Sequence, residues 1–83
     1  MNPMAEKIRE ILAIELRIEE HDIQPNARLR ADLGMDSVAA LNILFAAEEA
    51  FGINGIDVGE IAAVVTVDDV EALVRRHVAQ TSS

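Results

Sequence analysis

Residues 32–52 read Asp32-Leu33-Gly34-Met35-Asp36-Ser37-Val38-Ala39-Ala40-Leu41-Asn42-Ile43-Leu44-Phe45-Ala46-Ala47-Glu48-Glu49-Ala50-Phe51-Gly52. Ser37 to Phe51 contains neither Gly nor Pro and is rich in Ala and Leu, so the stretch predicts a helix over 37–51. Asp36 is its N-cap: a short carboxylate accepts a backbone N–H there and faces the positive end of the helix dipole. Gly34 supplies backbone freedom for the sharp entry, and Gly52 ends the helix. Stepping about 100° per residue, Ala40, Ile43, Leu44, Ala47 and Phe51 share a wide face, while Val38, Leu41 and Phe45 form a second stripe about 160° away. One core cannot bury both.

Working outward, Asn2-Pro3 is a helix-start signature, and Met4, Ile8, Ile11, Leu12 and Leu16 make one apolar stripe for a first helix over 3–17. Between Glu19 and Met35 the periodicity fades. Pro25-Asn26 reads as a turn in a connection longer than the usual helix–helix loop of about 2–8 residues, with Ile23, Leu29 and Leu33 as apolar pegs that pin it down. Asp57-Val58-Gly59-Glu60 has the form of a capping box and opens a short third helix over 58–65. Thr66-Val67-Asp68-Asp69 is a second box, opening a helix over 67–79 with the stripe Val67, Val70, Leu73, Val74 and Val78. The end, 80–83, is expected to fray. The result is a single all-α domain over 1–83: a small four-helix bundle, three main helices and one short, with a long first connection.

Bulk properties bound the chemistry. A chain of 83 residues supports one core, and with aromatics limited to Phe45 and Phe51 that core is aliphatic. There is no cysteine, hence no disulfide, thiolate nucleophile or Cys-based metal site. No apolar run approaches the roughly 20 residues of a membrane span and the N-terminus meets charge at once, so the expectation is a soluble, unexported chain; a cytoplasmic location and a monomer are expected beside it. Net charge is −8, and no Lys or Arg lies between Arg30 and Arg75, whereas Asp32, Asp36, Glu48, Glu49, Asp57, Glu60, Asp68, Asp69 and Glu71 all do. Such a surface repels nucleic acid and attracts basic protein patches, although the acids could also serve only solubility.

Ser37 puts one hydroxyl at a surface corner beside a carboxylate. Short polar side chains are common at helix starts, so the position alone does not assign a role. The larger pattern is more specific: Gly34-Met35-Asp36-Ser37-Val38 opening the second helix, Glu48-Glu49-Ala50-Phe51 closing it, a long preceding loop with Pro25, and Thr66-Val67 opening the last helix. Across almost the whole chain this resembles the acyl carrier proteins, whose serine in a Gly-x-Asp-Ser motif carries a 4′-phosphopantetheine arm.

The resemblance implies that Ser37 carries the arm, that its thiol holds an acyl group as a thioester, and that Asp36 helps hold a transient magnesium ion during modification. It implies a phosphopantetheinyl transferase as one partner, and acyl-loading, synthase or transferase enzymes with basic docking patches as the others. Geometry and resemblance converge on Val38, Leu41, Asn42, Phe45, Glu48 and Glu49 as the partner-binding face, with apolar anchors and acidic steering. Leu41 could instead pack against the long loop. Ala47, Ile56, Ala63, Val64, Val67 and Leu73 read as core; the resemblance adds that such residues part to admit an acyl chain.

Departures from the family pattern lie at Ala39 and Asn42, where further acids are common, and around Gly52 to Asp57. They leave an aminoacyl or peptidyl carrier open beside fatty-acid and polyketide-type pathways. From another class, an unmodified acidic adaptor could grip basic partners through Val38, Leu41 and Phe45. A hydrolase built on Ser37 is disfavoured because no His lies near it in sequence. His21 and His77 read as surface residues, and Arg28 and Arg30 as solvated or paired with nearby acids. Turnover by the chain itself is not expected.

Overall fold

The order α1 (Pro3–Leu16), a 3₁₀ turn (Glu20–Asp22), α2 (Ser37–Phe51), α3 (Val58–Ala63) and α4 (Val67–Ser82) is that of the computed structural model, which describes residues 2–82. Among the described residues there is no strand, and the all-α bundle with one short helix is the architecture the periodicity requires. No described helix is long and apolar enough to cross a membrane.

Asn2 caps α1, its Oδ1 accepting from the amides of Met4 at 3.1 Å and Ala5 at 3.4 Å. Ile8, Ile11 and Leu12 on the inner stripe are buried, and α1 packs against both α2 and α4. The helix stops at Leu16 rather than at 17, because Arg17 adopts the left-handed conformation (φ 58°, ψ 48°) of a C-terminal cap. The inner face of α2 buries Ala40, Ile43, Leu44 and Ala47, with Phe51 half-buried. Gly52 ends it at φ 63°, where a side chain would be strained.

The long connection is anchored at both side-chain and backbone level. Ile23, Leu29 and Met35 are buried in the common core and Leu33 packs half-buried against it. The Leu29 N–H donates to the Val65 carbonyl at 2.8 Å, the Val67 N–H to Ala27 at 3.1 Å and the Asp68 N–H to Pro25 at 3.0 Å. This pairing shortens α3. Val64 is extended, and the residues after it serve the loop instead of a further helical turn, so α3 ends at Ala63 and not at 65. At its start, Glu60 Oε1 reaches back to accept from the Asp57 N–H at 3.1 Å, as the capping box requires.

The second box is also formed. Asp69 Oδ2 accepts from the amides of Val65 and Thr66 at 3.1 and 3.0 Å, while Thr66 Oγ1 accepts from the Asp69 N–H at 3.2 Å. From there α4 continues through Ser82, past the expected end at 79, since neither Gly nor Pro follows to break it. The last residue of the expected frayed tail, Ser83, lies outside the described residues.

Candidate functional site

Ser37 is the first residue of α2 and is exposed. The extended backbone of Asp36 (φ −119°, ψ −176°) turns the chain into the helix, and its Oδ1 accepts the Ala39 N–H at 2.8 Å. One carboxylate oxygen thus fixes the corner while Oδ2 stays uncommitted among the described residues. No described side chain hydrogen-bonds the Ser37 hydroxyl. The corner therefore offers an open oxygen nucleophile without a base of its own, at the end of a helix whose first N–H groups favour an anion.

Of the second stripe, Val38 and Phe45 are 67 % and 59 % exposed, while Leu41 is half-buried. Val38 and Phe45 thus stand out from the stripe into solvent, while Leu41 is turned partly inward. Leu41 lines a cleft of about 100 Å³ beside Ser37, together with Ala40 on the same helix, Val58, Ile61 and Ala62 of α3 and Arg30 of the loop. Asn42 is exposed on the opposite flank, in a shallow groove shared with Glu15, Arg17 and Val38.

The two acids near the end of α2 have different fates. Glu49 is exposed, as a steering charge requires, but Glu48 is half-buried and its Oε2 accepts the Ile56 N–H at 3.2 Å. Glu48 thus ties α2 to the segment leading into α3. That tie was not legible in the spacing, because the partner is a backbone amide across a turn.

The six residues assigned to an acyl pocket separate. Ala47, Ile56, Val67 and Leu73 are buried, Val64 is half-buried, and Ala63 is exposed, which corrects its assignment to the core. Ala63, Val64 and Leu73 meet in an open depression between α3 and α4. The cleft at Ser37 is lined by other residues. Sequence reasoning missed Val58, Ile61 and Ala62 there, although their place on α3 was visible; Arg30 gave no periodic signal.

Electrostatics firm the frame. The Arg28 amide and then its guanidinium hold the Asp32 carboxyl below its ordinary range, with the amide contact at 2.9 Å. The Asp69 carboxyl is lowered by the Thr66 and Val65 amides, and Glu60 by the Asp57 amide with His77 and Arg76 adding smaller contributions. His77 corrects the expectation of a surface residue: its ring is 12 % exposed, with Nε2 3.3 Å from Glu60 Oε1. His21 is exposed as expected. Among the described residues no group of three or more His, Asp or Glu could hold a metal ion.

Residues 6–74 match the family described as "Phosphopantetheine attachment site". An acyl carrier protein of Desulforapulum autotrophicum is 35% identical over 71 residues, covering 84% of this chain and 91% of that protein. One of Solidesulfovibrio magneticus is 36% identical over 50 residues, covering 60% of this chain and 64% of that protein. An exposed serine opening a capped helix in a bundle of this order is chemically suited to bear such a prosthetic group. The chain belongs to the acyl carrier protein family, whose prosthetic group is a covalently attached 4′-phosphopantetheine.

Proposed function

We propose that the chain carries acyl intermediates of fatty-acid or polyketide-type biosynthesis on an arm attached to Ser37, and presents them to partner enzymes. The observation that carries this reading is the exposed Ser37 hydroxyl at the start of α2, next to the free Val38 and Phe45 side chains. During modification Ser37 Oγ attacks the pantetheine-side phosphorus of coenzyme A. The P–O bond to the nucleotide phosphate breaks, its electron pair leaves with 3′,5′-ADP, and the serine proton passes to a base of the phosphopantetheinyl transferase. Asp36 Oδ2, uncommitted while Oδ1 caps the helix, is the oxygen that would help hold a magnesium ion, which would offset phosphate charge during modification. When attached, the arm supplies the thiol that this cysteine-free chain lacks.

Val38, Leu41, Asn42, Phe45 and Glu49 then make the surface that partners read. Apolar anchors are flanked by acids, and basic docking patches complement them. Contacts of this size are weak and exchange quickly, which suits a carrier that must leave each enzyme in turn.

The test is intact mass after incubation with coenzyme A, magnesium and a permissive transferase. The wild-type chain should gain one phosphopantetheine and Ser37→Ala should gain none. An unmodified wild type, or a modified Ser37→Ala, overturns the assignment. The mass of the loaded form from a native host then distinguishes an acyl from an aminoacyl or peptidyl cargo.

A further inference from the structure

The cleft beside Ser37 holds a single charged residue. Its apolar walls are Ala40, Leu41, Val58, Ile61 and Ala62, and Arg30 stands with Ser37 along the same lining. Within the long loop the two arginines differ. Arg28 is committed to Asp32, through its amide at 2.9 Å and its guanidinium at 3.4 Å. Arg30 makes no ion pair among the described residues, although the surrounding sequence is acidic.

Its backbone is nevertheless held. Leu29, its neighbour, is fully buried and donates its N–H to Val65, while the Asp32 and Leu33 amides both donate to the Arg28 carbonyl at 2.8 and 3.1 Å. A cation on a fixed loop, without an ion pair among the described residues and lining the same cleft as Ser37, carries an uncompensated charge beside the serine that would bear a phosphate ester.

We infer that Arg30 anchors the phosphodiester that joins the arm to Ser37. The planar guanidinium offers paired donors to two phosphate oxygens, a geometry that an ammonium cannot match. The contact restrains the root of the arm at the mouth of the α2–α3 cleft instead of leaving it to swing over open solvent. It gives the loop a function beyond closing the bundle. The inference rests on the assignment of Ser37 as the attachment residue.

The experiment uses wild type, Arg30→Gln and Arg30→Lys, each treated with transferase and coenzyme A and checked by intact mass. In modified wild type, solvent exchange of the Arg30 Nε–Hε proton, followed by NMR, should slow about threefold relative to the unmodified chain, the size expected of a surface ion pair. High salt should remove the difference, and the ³¹P resonance of the ester should shift in Arg30→Gln, with Arg30→Lys restoring the shift only in part. Equal thermal midpoints of the three unmodified chains show that folding is not what changed. A wild type that gains no mass overturns the Ser37 assignment and the inference with it. A modified wild type with unchanged Arg30 exchange, or with a ³¹P resonance indifferent to Arg30→Gln, overturns the inference alone.

Discussion

The amide of Leu29 donates to the carbonyl of Val65 at 2.8 Å, so the long loop and the α3–α4 connection hold each other in place. Both residues neighbour positions that matter for the site: Arg30 follows Leu29 into the cleft, and Ala62 and Ile61 precede Val65 on its far wall. The loop is thus tied to the α3–α4 connection and contributes Arg30 to the cleft beside Ser37.

Leu29→Ala should be the most damaging single change in the loop. The side chain is fully buried, and truncation of a buried leucine costs about 2–5 kcal/mol, a large share of the stability of so small a domain. Urea unfolding followed by circular dichroism checks it; a loss below about 1 kcal/mol would show that the loop can re-pack without this peg.

Asp36→Ala removes the acceptor of the Ala39 N–H and should cost about 1 kcal/mol. If the second carboxylate oxygen also serves magnesium, modification slows by more than the stability loss explains. Comparing Asp36→Ala with Asp36→Asn separates the two effects, since Asn still caps but is a poorer ligand for the ion.

Phe45→Ala should leave stability within about 0.5 kcal/mol because the ring is 59 % exposed. Transferase kcat/KM should nonetheless fall on the order of tenfold, as for loss of an interface anchor. An unchanged kcat/KM would remove Phe45 from the docking face.

Arg17→Gly should raise stability. Arg17 sits at φ 58°, a conformation glycine takes without steric cost, so the gain is about 0.5–1 kcal/mol in thermal or urea unfolding. A destabilised variant would mean that the Arg17 side chain contributes more than its backbone costs.

Acid should weaken the fold in a defined direction. Asp32, Glu60 and Asp69 are all held below their ordinary values of 3.8, 4.5 and 3.8, chiefly by backbone amides that bond the ionised form. A depressed carboxyl stabilises fully above its unfolded value, and that contribution is lost as pH falls through the folded one. Urea midpoints should therefore decline as pH drops below about 4.5, and Asp69→Asn should show a shallower decline than wild type. An acid limb equally steep in Asp69→Asn would remove this carboxyl as a contributor.

The local determinants of the bundle were legible in the chain. Asn2, Asp36, Asp57 with Glu60, and Thr66 with Asp69 mark helix starts, because a capping side chain acts within a few residues of itself. The two faces of α2 followed from about 3.6 residues per turn, and so did the exposed Val38 and Phe45 and the buried Ala40, Ile43, Leu44 and Ala47. Ser37 was equally legible, since its exposure follows from standing at the corner that Asp36 caps.

What the tertiary structure alone decided depends on groups far apart in sequence. Only packing could place Leu41 and Arg30 with Val58, Ile61 and Ala62 around one cleft, leave Ala63 outside the core, or turn Glu48 inward to the Ile56 amide. Only the backbone pairing of residues 25–29 with 65–68 could end α3 at Ala63. Periodicity and capping act along a single helix, whereas loop pairing and cleft shape depend on how separate segments meet. That information appears only when the segments are brought together.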